Sequence, residues 1–194
     1  MKPLIVIPAA GQSTRMRGRD KLLEPIRGVP LIRRQAQAAA GAGADVLVLL
    51  PEDNTPRREA LIGLRIGIEP VADAWKGLSA TLRHGAVRAG DRPLAILLPD
   101  VPGVTSTEIR AVLDAFDGEH VTRATDPDGR PGTPIVFPVR LLPSFAFLTG
   151  DDGARALLIE EDVTTVPFSD DRATRDLDTP EAWARWRRRT GILS

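Results

Sequence analysis

The amino-acid sequence predicts an α/β fold built on a largely parallel sheet. Three observations carry this expectation. Short, nearly continuous apolar runs recur through the first half of the chain, at residues 4–7, 46–50, 65–68 and 94–98. Such runs are the mark of strands covered on both faces. Helical patterns separate them, which makes βαβ units. The first run then breaks at Pro8 into a loop of small residues, Ala9-Ala10-Gly11, a way to bring backbone N–H groups close to an anion.

Taken in order, strands are predicted at 4–7, 46–50, 65–68, 94–98, 120–125, 134–137 and 163–168, and helices at 31–40, 56–62, 78–89, 106–116, 139–145, 152–160 and 180–189. The strands around Val121 and Val136 are joined by DPDGRPGT with no helix between them. An antiparallel edge or hairpin is expected there. The last helix has a clear start: Thr179 suits the cap and Pro180 the first helical position. If Thr179 caps, the carboxylate of Asp178 is left for another task. Trp183 and Trp186 share a face at i, i+3 and should pack on the sheet. Arg185, Arg187, Arg188 and Arg189 crowd the helix C-terminus, where the dipole favours cations, and read as a solvated end.

Composition bounds the function. The 194 residues suit one domain, 1–194, with a full core. Lys plus Arg and Asp plus Glu both number 26, so nothing favours nucleic acid or an anionic membrane as partner. There are no cysteines, which excludes disulfides, thiolate zinc sites and cysteine nucleophiles. No apolar run approaches the length of a membrane span, and a cytoplasmic location is expected. Only three cations are lysines: Lys2, Lys21 and Lys76. With two histidines in all, His84 and His120, a histidine-built metal centre is not expected. His84 reads as a helix-surface residue.

Three stretches carry chemistry. The opening loop is followed by Arg15, Arg17, Arg19 and Lys21, cations suited to a polyphosphate. It lacks both the Gly-x-x-x-x-Gly-Lys-Ser/Thr pattern and Gly-x-Gly-x-x-Gly. The second stretch, LAILLPDVPG, delivers Asp100 at the carboxyl end of a buried strand, where ligands of open α/β sheets sit. A carboxylate there suits Mg²⁺, which takes one or two carboxylates plus phosphate oxygens. The third, RDLDTPEAWARW, places Asp176 and Asp178 before the last helix, and either could close the metal site.

Six segments in this order resemble the motifs of the molybdenum-cofactor nucleotidyltransferases: PAAGQSTRMRGRDKLL, DAWKGLSATLRHG, PDVPGV, GRPGTPIVF, TGDDGARALL and DLDTPEAW. The resemblance implies a Rossmann-like three-layer fold whose mixed sheet is mostly parallel with one antiparallel strand. It implies an Mg²⁺-dependent enzyme that moves CMP from CTP to the terminal phosphate of molybdopterin and releases pyrophosphate. Ala9, Ala10, Gly11, Gln12 and Ser13, with Arg15, would hold the β- and γ-phosphates. Lys21 would sit at the α-phosphate, and Ser79 and its neighbours near the base and ribose. Asp100 and Asp178 would hold Mg²⁺. Residues 130–134 and 150–155 would form the pterin side, with Gly132, Pro134, Asp151, Gly153 and Arg155 as its contacts and Asp151 and Arg155 the most direct.

Within that resemblance, Ala-Ala-Gly at the loop marks CTP users and Ala-Gly-Gly marks GTP users; this chain has Ala9-Ala10-Gly11. The methyl of Ala10 takes space where a purine could approach. Pro8, Arg17 and Pro99 depart from the pattern, standing where Leu, Gly and Gly are usual. The alternatives are a GTP-using guanylyltransferase, a sugar- or polyol-phosphate nucleotidyltransferase, and a non-catalytic chaperone that holds the cofactor for a molybdoenzyme client.

Overall fold

Alternation along the first strands decides the layering. In β1 (Leu4–Pro8), Ile5 and Ile7 face one apolar cluster, while Leu4 and Val6 face another. In β4 (Asp45–Pro51), Val46, Val48 and Leu50 face the first cluster, Leu47 and Leu49 the second. A strand with both faces apolar must be covered on both sides. In this computed structural model, which describes residues 1–151 and 153–192, helices cover both.

The remaining strands are the two-residue pair β2 (Pro25–Ile26) and β3 (Val29–Pro30), then β5 (Gly67–Val71), β6 (Leu94–Ile96), β7 (Val121–Thr125), β8 (Pro131–Phe137) and β9 (Val163–Pro167). The main sheet has the order β5-β4-β1-β6-β8-β7-β9. Pairs β4–β5, β1–β4, β1–β6 and β7–β9 are parallel, and β8 runs antiparallel to both its neighbours. The expected mixed sheet with one antiparallel strand is present. The β7–β8 hairpin is also as expected, but β8 lies inside the sheet and β9 forms the edge.

The helices are α1 (Leu31–Gly41), α2 (Thr55–Ala60), α3 (Leu78–Ala89), α4 (Ser106–Asp114) and α5 (Pro180–Thr190). Residues of α1, α4 and α5 join Ile5 and Ile7; Trp183 and Trp186 do so as an edge-to-face pair with centroids 6.1 Å apart. Residues of α3 and the 3-10 helix Val139–Phe147 join Leu4 and Val6 on the other face. Thr179 caps α5, its hydroxyl accepting from the N–H of Ala182 at 3.1 Å. No helix among the described residues is long and apolar enough to cross a membrane.

Four expectations need correction. The strand expected at 65–68 runs Gly67–Val71; Pro70 reads as a breaker, but β5 is an edge strand, which tolerates proline. The helix expected at 139–145 is 3-10, with Pro143 inside it. The helix expected at 152–160 is a single 3-10 turn, Arg155–Leu158; its first residue, Asp152, lies outside the described residues. The arginines ending α5 are not simply solvated. Arg187 pairs with Glu24 at 3.0 Å and lies over the Trp183 ring, and Arg189 reaches Asp171 at 3.2 Å.

Candidate active site

The chain passes from β1 outward to β4 and β5, then crosses back to β6 on the other side of β1. The strand order reverses between β1 and β6, and an open sheet leaves a crevice beyond the carboxyl ends of such strands. The loop after β1 and the segment Leu97–Asp100 after β6 both enter that crevice. The N–H of Leu97 still bonds to the carbonyl of Val6 at 3.0 Å, which holds the two exits side by side.

The loop is built to present amides. The N–H of Ala9 is used by the sheet, donating to Leu49 at 2.8 Å. Among the described residues, the N–H groups of Ala10, Gly11, Gln12 and Ser13 donate to no protein atom. Ser13 is left-handed at φ 52° and opens a 3-10 turn, Thr14–Met16, whose Met16 is buried. A run of unengaged amides after a strand is an anion cradle. Arg17 is also left-handed at φ 53°, followed by Gly18 at φ 84°. Thus Arg17 stands at a position that favours glycine, and it reaches across to Glu181 at 2.7 Å.

Below the loop lies a buried knot. Arg57, in α2 and 2% exposed, donates to the carbonyl of Ala9 at 2.6 Å and to both oxygens of Asp20 at 2.7 and 2.8 Å. The Ser13 hydroxyl donates to Asp20 at 3.1 Å and accepts from the Lys21 N–H at 3.3 Å. Burial works to raise the Asp20 carboxyl, but the hydrogen bond and charge of Arg57, with the Leu22 N–H and Ser13, bring its pKa below the ordinary value. The cradle is therefore fixed from beneath.

The charged centre stands at the mouth. The Nζ of Lys21 lies 2.7 Å from Asp100 and 2.5 Å from Asp178, and Arg15 meets Asp178 at 2.5 Å. Burial opposes the charge on Lys21. The Asp100 carboxylate and then Asp178 outweigh it, so the ammonium titrates above an ordinary lysine. The backbone around both aspartates is pinned. The N–H of Leu98 bonds to the Thr133 hydroxyl at 3.0 Å, and Gln35 donates to the carbonyl of Val101 at 2.8 Å. The N–H of Leu177 bonds to the carbonyl of Asp100 at 3.1 Å, and the Trp183 indole to that of Leu177 at 3.0 Å.

A cavity of about 530 Å³ opens above this centre, lined by Ala10–Arg15, Lys21, Trp75, Leu78, Thr81, Asp100, Asp151 and Asp178 among others. Of the expected residues, Arg15, Lys21, Asp100, Asp178, Asp151, Ala10, Gly11, Gln12 and Ser13 converge here. Ala9 is buried and does not line it. Ser79 is also buried, on the inner face of α3, and does not line it; its neighbours Leu78, half-buried, and Thr81, itself buried, do. Asp151 accepts from the N–H of Leu78 at 3.0 Å, at the start of α3. Gly132 and Pro134 lie in β8 outside the lining. A Cβ at Gly132 would come within 2.3 Å of the Ala173 carbonyl. A Cβ on Gly153 would lie 3.3 Å from Leu78, and Arg155 is exposed beyond the lining. His84 faces Glu69 at 2.9 Å, away from the cavity.

The donor set fits a divalent cation. Two carboxylates converge on one cationic atom, and the Oδ1 of Asp100 is buried without a hydrogen-bond partner. Among the described residues no group of three or more His, Cys, Asp and Glu forms a closed metal cage. Mg²⁺ needs none, since it takes one or two carboxylates and leaves positions for phosphate oxygens and water. Asp176 does not touch Lys21. Burial, then the charges of Asp178 and Asp100, raise its pKa. Between the two candidates, Asp178 is the one in contact with the centre.

Asp20, Arg57, Thr81, Thr133 and Trp75 were not singled out by the sequence. Asp20 sits inside the quoted loop segment, Trp75 and Thr81 inside DAWKGLSATLRHG and Thr133 inside GRPGTPIVF, so all four lie within quoted motifs. Arg57 had only the helix start at Asn54 to mark it.

A family model described as a MobA-like NTP transferase domain matches residues 5–165. The bifunctional protein GlmU of Agrobacterium fabrum is 31% identical over 118 residues, covering 58% of this chain and 26% of that protein. A probable molybdenum cofactor guanylyltransferase of Opitutus terrae is 30% identical over 143 residues, covering 69% and 65%. The chain thus spans about a quarter of the first relative's length and just under two thirds of the second's. The crystal structure of Rv0371c from Mycobacterium tuberculosis in complex with manganese aligns at a TM-score of 0.79 and 23% identity, covering 95% of this chain and 97% of that one. That likeness speaks to the fold.

Proposed function

This chain belongs to the family of MobA-like NTP transferase domains, and we propose that it moves CMP from CTP to the terminal phosphate of molybdopterin. The observation that carries the reading is the pairing of an amide cradle with a two-aspartate centre. The N–H groups of residues 10–13 stand free beside Arg15, Lys21, Asp100 and Asp178. A nucleoside triphosphate is the ligand that uses both.

In this reading the β- and γ-phosphates lie on the amides of Ala10–Ser13 and on Arg15. Lys21 moves to the α-phosphate. Asp100 and Asp178 would hold Mg²⁺, which would supply charge to screen the two polyanions. A phosphate monoester loses its second proton at a pKa of about 6. The acceptor is therefore an anionic nucleophile at neutral pH and needs no strong base. Its oxygen forms the new bond to the α-phosphorus as the bond from the α-phosphorus to the bridging oxygen breaks, and pyrophosphate leaves. What the protein supplies is alignment and positive charge. The acceptor enters along Leu78, Thr81 and Asp151, with Arg155 beyond.

Ala10, 6% exposed at the cavity wall, supports CTP over GTP by the space its methyl fills. A second reading, with GTP, is favoured by the name of the Opitutus relative. Pyrophosphate release with a panel of nucleotides and of acceptors decides both questions. Release with CTP and molybdopterin, and little with GTP, is expected. Release with GTP but not CTP overturns the choice of base. Release with sugar or polyol phosphates but not molybdopterin overturns the acceptor. Tight cofactor binding with no release under any condition leaves a carrier protein instead of an enzyme.

A further inference from the structure

The 3-10 turn that carries Arg15, Thr14–Met16, is bracketed by two left-handed residues, Ser13 at φ 52° and Arg17 at φ 53°. Neither is glycine or asparagine, the residues that take this conformation readily. Each bracket has its side chain tied to another part of the fold. Ser13 is held by Asp20 and by the Lys21 N–H. Arg17 reaches a different element: its guanidinium donates to Glu181 at 2.7 Å, across 164 positions. Between them Met16 is fully buried and fixes the middle of the turn in the core.

Glu181 lies in the first turn of α5, three residues after Asp178. Arg15 meets Asp178 at 2.5 Å. Two arginines of one turn thus meet two carboxylates at one helix start. The two contacts differ in what a ligand does to them. Arg15 and Asp178 line the cavity, whereas Arg17 and Glu181 do not. A bound triphosphate competes for the first pair and leaves the second alone. The side chains of Arg17 and Glu181 are 74% and 52% exposed. Such a pair contributes little to folding, while positive φ at an arginine is unfavourable. Glycine is usual at this place in the motif that the loop resembles, so the pair is particular to this chain.

We propose that Arg17 is a positioning residue for the nucleotide. Through Glu181 it docks the outer end of the turn on α5. This keeps Arg15 and the amides of residues 10–13 at the triphosphate after Arg15 has left Asp178. Without ligand, two ion pairs hold the turn to the start of α5; with ligand, Arg17–Glu181 takes over. The proposal rests on the nucleotidyltransferase reading and adds to it a pair outside the cavity.

The test is calorimetric binding of CTP and of GTP with Mg²⁺ and no acceptor, beside melting curves. Arg17→Gly relieves the positive φ as it removes the tie, so it should melt within about 2 °C of wild type. It should nonetheless bind the nucleotide about 2- to 5-fold more weakly, the scale of one exposed ion pair. Glu181→Gln should weaken binding equally, and the double variant no further. Arg17→Lys keeps the charge and should keep most of the affinity. The gap between wild type and Arg17→Gly should close by about 1 M salt, which screens exposed charges. Unchanged affinity of Arg17→Gly overturns the proposal and leaves the pair a surface contact. Weaker binding by Arg17→Gly with Glu181→Gln at wild-type affinity also overturns it, because Arg17 would then touch the ligand itself. A wild type that binds neither nucleotide sinks the nucleotidyltransferase reading and this proposal with it, a result distinct from both.

Discussion

Replacing Arg57 with Met removes a buried side chain that ties the loop after β1 to the fold from beneath. Arg57 is 2% exposed and Asp20 22% exposed, so this ion pair is buried on one side and shielded on the other. Arg57→Met leaves the carboxylate of Asp20 with only Ser13 and the Leu22 N–H, and takes from the Ala9 carbonyl its arginine donor. Breaking a fully buried pair costs about 3–5 kcal/mol. The residual exposure of Asp20 puts this case near the lower end, about 3 kcal/mol. For a chain of this size that is a fall in Tm of roughly 6–12 °C, read by circular dichroism at pH 7. The double variant with Asp20→Asn should be less destabilised than the two single changes summed, because the stranded charge is gone. The pH dependence has a definite sign. The folded pKa of Asp20 is depressed below that of an ordinary aspartate. Its stabilisation is therefore present above that value and lost as pH falls through the folded pKa. Wild type should lose part of its advantage over Arg57→Met below about pH 4. A variant that melts within about 1 °C of wild type, with unchanged nucleotide affinity, would refute the reasoning.

Four further outcomes are expected. Asp178→Asn should lower turnover by at least about 100-fold, the loss that follows removal of one group stabilising transition-state charge. Asp176→Asn should keep turnover and raise stability at pH 7, because it relieves repulsion from Asp178 and Asp100; paired kinetics and melting curves check both. Ala10→Gly should shift kcat/KM toward GTP by about 10-fold relative to CTP, the scale of one methyl group in a pocket, measured by competition between the two nucleotides. Gly132→Ala should destabilise, since its Cβ would fall 2.3 Å from the Ala173 carbonyl and the backbone must move; denaturant unfolding reads the effect.

Much of the architecture could be read because each part had a local signal. The apolar runs of β1, β4 and β6 need cover on both faces. Thr179-Pro180 announces α5 and frees Asp178. The loop, Asp100 and Asp178 each stand at the end of an element that sequence alone predicts. The structure adds that Lys21 draws the two aspartates together. What was not legible depends on distance or on surroundings. Arg57 meets Asp20 across 37 positions, and nothing local marks either as a partner. Pro70 reads as a strand breaker until β5 is known to be an edge. The pair β2–β3 is too short for any periodicity, and its turn is Arg27-Gly28, both at positive φ. Ser79 was placed near the nucleotide by its motif alone. That Leu78 and Thr81 line the cavity while Ser79 does not depends on the rotation of α3 on the sheet.

The central claim is that the cradle at residues 10–13 and the pair Asp100–Asp178 serve one ligand. A crystal structure of the protein with CTP and Mg²⁺ tests it most directly. One ion on Asp100 and Asp178 at about 2.1 Å, phosphate oxygens on the amides of Ala10–Ser13, and Lys21 withdrawn from between the aspartates to the α-phosphate are expected. A triphosphate bound elsewhere, with Lys21 still bridging the two carboxylates, would contradict it.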